Sequence, residues 1–141
     1  MLKKINQIEK ENNMATRSII AKLDDKGVQA IYCHNDGYLS NNGKILDQNY
    51  ADEDNVDELL AEGDISSLRD TIADTTFYMR DRGEIDKEAA TLKDESALLK
   101  YAFESCDAEF VYMFAFGHWY VYNKEKSNQF EELEELLYVK L

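Results

Sequence analysis

Two runs of β-favouring residues, each broken by a short turn, constrain most strongly what this chain can fold into. The apolar and aromatic residues 110–116 stop at Gly117, and residues 118–122 continue the run. Residues 17–33 repeat this pattern around the turn Asp-Asp-Lys-Gly. Both patterns predict β-hairpins, because short β-favouring runs separated by a few turn residues fold back on each other. Hairpins imply an antiparallel sheet, and helices then have to cover its apolar face.

Periodic apolar residues elsewhere predict the helices that cover this sheet. Residues 52–61 begin with three acids, which suit the positive end of a helix dipole, and they carry an apolar stripe. The same reasoning predicts helices over residues 41–50 and 95–105. The other predicted elements are a C-terminal helix opened by a capping box at residues 128–131, a strand over 75–80 and a short helical turn over 64–68.

These elements predict one α+β domain over residues 14–141. Its antiparallel sheet has two hairpins plus a strand and is packed by about four helices. Residues 1–13 precede it as an extension, either a loose arm or a short helix. A chain of 141 residues, of which 44% are hydrophobic, is long and apolar enough to bury a core without disulfide staples.

Charge and cysteine content exclude several classes of protein. The chain has 29 acidic and 16 basic residues and a net charge of −13, so it repels nucleic acid and anionic membranes. We therefore expect no direct contact with either. The longest apolar run is seven residues, which is too short to span a membrane. The two cysteines, Cys33 and Cys106, favour a reduced, cytoplasmic setting over a disulfide scaffold.

Acidic residues are concentrated between positions 47 and 70, where nine of them stand against one arginine. One interpretation is a solubilising surface. The other is a surface that binds a basic protein, because carboxylates along a helix are spaced on the scale of nucleic-acid phosphates. The residues assigned to partner binding are Asp47, Asp52, Glu53, Asp54, Asp57, Glu58, Glu62 and Asp64.

The densest group of chemically versatile residues is the run Tyr-Cys-His-Asn-Asp-Gly-Tyr at positions 32–38. A histidine with a nearby aspartate suits a general base, and Cys33 offers a nucleophile, but ordinary turn chemistry explains the run equally. In the run Arg-Asp-Arg-Gly-Glu at positions 80–84, the arginines suit an anion or, equally, an exposed ion-paired turn. The residues of a possible ligand pocket are Tyr32, His34, Asp36, Tyr38, Arg80 and Arg82.

None of the common signatures of catalysis or cofactor binding is present. The sequence has no P-loop, GxGxxG, GxSxG or HExxH pattern. Its cysteines and histidines, Cys33, His34, Cys106 and His118, equal in number the ligands of a zinc site, but they lack the spacing of one. We assign no catalytic residue, metal ligand or cofactor.

Several short motifs together resemble a family of small proteins encoded by phages and other mobile elements. They are the opening Met-Ala-Thr-Arg-Ser-Ile-Ile-Ala at 14–21, the runs at 32–38 and 80–84, the spaced residues Gly43, Leu46 and Tyr50, and Gly-Asp-Ile-Ser-Ser-Leu at 63–68. The resemblance covers roughly residues 14–122. The sequence differs from the family at Asn35, where the family often has tryptophan, and at Leu39, where it often has proline. Small phage accessory proteins often inhibit host defence, so the resemblance implies the cytoplasm of a bacterial host.

Three hypotheses follow for function. The first is a non-enzymatic protein that binds and inhibits a basic or nucleic-acid-handling host protein, in the manner of an anti-CRISPR, through the acidic surface. The second is a small enzyme or nucleotide-binding module that uses the two motifs at 32–38 and 80–84. The third is a structural homo-oligomer, for example a homodimer, joined through an apolar stripe of Phe130, Leu133 and Leu137.

Overall fold

The sheet has eight strands, and the computed structural model describes it within residues 15–138. The strands are β1 (Ser18–Asp24), β2 (Gly27–Cys33), β3 (Ile65–Ser67), β4 (Thr76–Phe77), β5 (Ala90–Leu92), β6 (Phe110–Ala115), β7 (His118–Asn123) and β8 (Glu131–Glu132). The predicted hairpins are confirmed as β1–β2 and β6–β7. The predicted extension, residues 1–13, lies outside the described residues.

The sheet is mixed, so the prediction of a purely antiparallel sheet is wrong, while the α+β fold class is confirmed. The strand order is β4-β3-β2-β1-β6-β7-β8, and β5 also pairs with β2. The two hairpins meet through β1 and β6, which run parallel from Ser18 opposite Phe110 to Lys22 opposite Phe114. The strand β3 also runs parallel to β2. The residues of a hairpin determine its own turn and register, but they do not determine which neighbour its outer edges meet.

Five α-helices cover this sheet within the described residues. They are α1 (Lys44–Asn49), α2 (Glu53–Ala61), α3 (Tyr78–Arg82), α4 (Glu95–Lys100) and α5 (Leu133–Leu137). A π-helical turn, Leu39–Gly43, leads into α1, and another, Tyr101–Ser105, follows α4. The side chain of Asp52 caps α2 by accepting from the amide of Asp54, and that of Asp94 caps α4 by accepting from the amide of Ala97.

Three short segments differ from the prediction. Residues 65–67 are strand β3 instead of a helical turn, because the outer edge of β2 offers ladder partners. The predicted strand over 75–80 ends at Phe77, and the chain continues as α3. The predicted capping box at residues 128–131 does not open a helix, because Glu131 pairs with Val121 in the sheet. The helix α5 begins only at Leu133. In the first and third cases pairing at a sheet edge overrides a local helix signal, whereas in the second a helix replaces the end of a predicted strand.

The core lies on both faces of the sheet, because successive strand residues point to opposite sides. On one face Ile20, Ile31 and Tyr112 are fully buried in a cluster that includes apolar residues of α1 and α2. On the other face Ile19 and Val111 are fully buried in a cluster that includes residues of α4. This arrangement leaves the outer face of α2 and the ends of β2 and β3 as surfaces that function could use.

Candidate functional site

The helix α2 presents carboxylates on the face opposite its buried stripe. Val56, Leu59 and Leu60 are buried, whereas Asp54 and Glu58 are exposed. Asp54 and Glu58 are one helical turn apart, so their side chains are neighbours. We call these two residues the acidic helix face. Within residues 15–138, neither carboxylate has a cation within ion-pair distance.

A single lysine partly neutralises the side of α2 nearest the sheet. The ammonium of Lys22 on β1 lies 2.7 Å from a carboxylate oxygen of Glu53 and 2.7 Å from one of Asp57. Burial disfavours the charged lysine, but the hydrogen bonds that the ammonium donates to Asp57 and Glu53, together with the charges of these carboxylates, outweigh burial and raise the pKa of Lys22. Two carboxylates share one cation, so this side of the helix also keeps a net negative charge.

The other acids predicted for partner binding have separate roles. The side chain of Asp52 caps the helix, and Asp47 accepts a hydrogen bond of 2.9 Å from the Tyr138 hydroxyl. Glu62 is the C-terminal capping residue of α2. Asp64 is half-buried and accepts a 2.9 Å hydrogen bond from the amide of Tyr32, and burial raises the pKa of its carboxyl. Asp64 therefore lies beside Tyr32, which belongs to a second surface described next.

The second surface lies where β2 and β3 run side by side. Cys33 is opposite Ile65, and the amide of His34 donates to the Ile65 carbonyl at 3.0 Å. Because alternate residues share a face, the side chains of Tyr32 and His34 lie on the same side as that of Ser66. We call this surface the polar sheet face, and its members are Arg17, Tyr32, His34, Ser66, Tyr78 and Arg82.

A hydrogen-bonded relay orients the imidazole of His34. The guanidinium Nε of Arg17 donates to the Tyr32 hydroxyl at 3.0 Å, and that hydroxyl lies 2.7 Å from His34 Nδ1. Because an arginine Nε only donates, the Tyr32 oxygen accepts the bond from Arg17, and its short contact with Nδ1 holds the imidazole ring in place. Burial and the nearby charges of Arg17 and Arg82 lower the pKa of His34, so the ring is neutral at pH 7.

The structure brings Arg82, but not Arg80, to this face. Arg82 donates to the Ser66 hydroxyl at 3.3 Å, and its guanidinium lies 5.2 Å from the centre of the Tyr78 ring. Arg80 instead donates to three carbonyl oxygens of residues 72–75 and to the Asp81 carboxylate. It also lies over the Phe77 ring, so Arg80 stabilises a loop.

The remaining motif residues hold the turn that follows β2. Asp36 has a positive φ of 56°, and its carboxylate accepts a long hydrogen bond of 3.4 Å from the Tyr38 hydroxyl. Cys33 is fully buried on the opposite face of the sheet, where burial raises the pKa of its thiol to about 11. A thiol that is neutral and inaccessible at pH 7 is a poor nucleophile.

Sequence reasoning missed Arg17, Ser66 and Tyr78. Arg17 could have been predicted from the hairpin, because a register that pairs residue 18 with residue 33 places Arg17 beside His34. Ser66 and Tyr78 depend on the pairing of β2 with β3 and of β3 with β4, for which the sequence carries no local signal.

The stripe predicted for self-association packs within the chain. Leu133 is fully buried, Leu137 packs against the same core cluster, and Phe130 meets the Tyr122 ring edge-on at a centroid distance of 5.5 Å. In the part of the chain that the structure describes, no three His, Cys, Asp or Glu side chains are grouped as a metal-ligand set. None of the helices within residues 15–138 is long and apolar enough to cross a bilayer.

Comparisons of this chain with protein-family models, with curated proteins and with solved structures find no match.

Proposed function

We propose that this chain is a phage-type accessory protein that binds and inhibits a basic host protein through the acidic helix face. The motif resemblance at residues 14–21, 32–38 and 80–84 supports the phage-type assignment. The single observation that carries the binding proposal is the pair of exposed, adjacent carboxylates of Asp54 and Glu58, without an ion-pair partner in residues 15–138.

Like charges one turn apart on a helix repel each other, which costs a free helix about 0.2–0.5 kcal/mol per pair. A lysine or arginine of a partner placed between Asp54 and Glu58 removes this repulsion and gains two ion pairs. A nucleic-acid-handling enzyme offers such cations, because its nucleic-acid groove is lined with them. Inhibition follows when the acidic helix face occupies that groove in place of nucleic acid.

The test is affinity capture of the tagged protein from a bacterial host that carries its own defence systems, followed by mass spectrometry at low and high salt. The wild-type protein is expected to retain a basic nucleic-acid-handling protein at low salt and to lose it at high salt. Purified, this partner is expected to lose its activity on nucleic acid when the wild-type chain is added.

The decisive variant is the double charge reversal Asp54→Lys and Glu58→Lys. Its matched control, Glu84→Lys with Glu104→Lys, makes the same change in net charge at exposed positions elsewhere. Capture and inhibition are expected to disappear in the first variant and to persist in the control, with unchanged circular dichroism in both. Equal losses in both variants would show that only net charge matters, and retention in the first would refute the acidic helix face.

A separate observation favours a second function, a nucleotide-binding or small enzymatic module at the polar sheet face. The imidazole of His34 is held by the Tyr32 hydroxyl, and the charges of Arg17 and Arg82 act on it within an otherwise acidic protein. Two guanidinium groups beside an imidazole suit a phosphate group.

Titration with ATP, followed by the NMR signals of the His34 ring, tests this second function. Binding is expected to shift the His34 signals and to raise the pKa of His34, because a phosphate offsets the two arginine charges. The ring of His118, which is exposed on β7, provides the internal control. Unchanged His34 signals at millimolar ATP would exclude a phosphate site on this face.

A further inference from the structure

The tip of the β6–β7 hairpin holds a bulky residue in an unfavourable backbone conformation. Ala115 is opposite His118, so Phe116 and Gly117 form a two-residue loop, with φ angles of 54° and 80°. Such loops need positive φ at both positions, and asparagine or glycine is the usual first residue. A phenylalanine with positive φ is an outlier, because its Cβ crowds the backbone.

Burial does not compensate for this conformation. The side chain of Phe116 is 87% exposed, the highest value among the exposed large hydrophobic residues of the described chain. The residue therefore costs free energy twice, once in its backbone and once in its exposed apolar ring. Backbone strain and an exposed apolar ring that do not stabilise the fold point to a role in binding another molecule.

Phe116 lies between two surface depressions, one lined mostly by apolar side chains and one that contains carboxylates. A cleft of about 330 Å³ on one side is lined mostly by apolar side chains, which include Leu23, Met113 and Phe130. A groove of about 220 Å³ on the other side contains carboxylates. The acids around the two depressions are Asp24, Asp25, Glu53 and Glu95.

An exposed aromatic ring within a charged rim has the layout of a binding hot spot. At such sites a buried aromatic supplies most of the affinity, and the surrounding polar contacts exclude water. The rim here is acidic, and its one lysine, Lys22, is already paired with Glu53 and Asp57. Glu53 lies on α2, so the rim is continuous with the acidic helix face.

We propose that Phe116 is the apolar anchor of the partner interface and that the hairpin tip binds a cationic amphipathic segment of the partner protein. The segment's apolar side chains cover the ring and the 330 Å³ cleft, and its lysines or arginines face the carboxylates of the rim. This inference rests on the proposed function, since both require a basic partner. A second copy of the chain is a poor occupant, because each copy has a net charge of −13.

The test measures binding of a synthetic amphipathic peptide of leucine and lysine, with a counterpart in which glutamate replaces every lysine. Isothermal titration is run with the wild-type chain and with Phe116→Asn, Phe116→Trp and Ile85→Asn. Asparagine suits the turn, so Phe116→Asn removes the ring without disturbing the hairpin. Ile85→Asn removes another exposed apolar side chain, at 77% exposure, from a different loop.

The wild-type chain is expected to bind the lysine peptide and not the glutamate peptide. Phe116→Asn is expected to weaken binding at least about tenfold, Phe116→Trp to restore it, and Ile85→Asn to leave it unchanged. The proposal would be overturned if Phe116→Asn bound the lysine peptide with wild-type affinity, or if the wild-type chain did not bind that peptide. It would also be overturned if the wild-type chain formed a dimer that the substitution Phe116→Asn converts to monomers.

The double variant Asp54→Lys and Glu58→Lys separates this inference from the proposed function. If it loses the peptide while Phe116→Asn keeps it, the anchor is wrong and the acidic helix face remains supported. If it keeps the peptide while Phe116→Asn loses it, the anchor holds, and loss or retention of the captured host protein by the double variant decides the acidic helix face separately.

Discussion

Replacing Gly37 with alanine tests whether the glycine of the motif at 32–38 serves the fold. A Cβ at Gly37 lies 2.7 Å from both the Ser18 Cβ and the Thr16 carbonyl oxygen. Both atoms belong to the start of β1 and its approach. The Thr16 oxygen also accepts a 2.8 Å hydrogen bond from the Gly37 amide, so it cannot move away without breaking that bond.

Two other glycines separate this steric effect from backbone conformation. Gly83 has a φ of 66°, but a Cβ there meets nothing within 4 Å, so alanine brings conformational strain alone. Gly43 has helical angles, and its Cβ makes ordinary contacts from 3.4 Å outward. We expect Gly37→Ala to lower the free energy of unfolding by about 3 kcal/mol and Gly83→Ala by about 1 kcal/mol. Gly43→Ala is expected to be neutral or stabilising by up to about 1 kcal/mol.

Urea unfolding, followed by the fluorescence of the buried Trp119, measures these differences. With an m-value of roughly 1–3 kcal/mol/M, a loss of about 3 kcal/mol moves the midpoint by at least about 1 M. The expected order of midpoints is Gly43→Ala, Gly83→Ala, Gly37→Ala, from highest to lowest. A Gly37→Ala midpoint equal to or above that of Gly83→Ala would refute the steric explanation and reopen a functional role for the motif glycine.

Three further predictions concern single groups. Because burial and the charges of Arg17 and Arg82 lower the pKa of His34 below 6.5, the unfolded chain binds more protons just under that pH. Stability is therefore expected to fall as the pH decreases through 6.5, and urea midpoints should show a weaker fall in His34→Gln. Burial raises the pKa of Asp64 above 3.8, the value of the unfolded chain. The folded state is therefore destabilised as the pH rises from 3.8 to the pKa of the buried carboxyl, because deprotonation is less favourable in the folded chain. Asp64→Asn, which keeps an acceptor for the Tyr32 amide, is expected to be more stable than the wild type at pH 7, and calorimetry should show this gain vanish in acid. Phe116→Asn is expected to raise the free energy of unfolding by up to about 1 kcal/mol in urea unfolding, and a decrease would contradict the strain assigned to Phe116.

The hairpins and two of the helix starts were predictable because their signals are local. A turn glycine between β-favouring runs determines the hairpin β6–β7, and Asp52 and Asp94 mark helix starts through their own side chains. The parallel contact of β1 with β6 was not predictable in this way. It depends on how α1 to α4 return the chain to β1, and no short pattern encodes that path.

The polar sheet face shows the same division. Tyr32 and His34 share a face by strand alternation alone, so they could be predicted together. Arg80 and Arg82 are two residues apart on what looked like a strand end. The helix α3 separates them instead, with Arg80 turned to its own loop and Arg82 to Ser66. Within a short helix, residues two apart do not face the same way.

The strain at Phe116 persists because the strand that carries it is held from both sides. β6 pairs with β1 along five residues and with β7 along six, and five of its six residues are buried. A strand fixed this firmly determines where the next two residues go, and the turn adopts positive φ whatever side chain it carries. The fold therefore permits asparagine, glycine or phenylalanine at position 116 without changing the sheet. That freedom means that folding does not explain the phenylalanine, and an interface in which its ring becomes buried does.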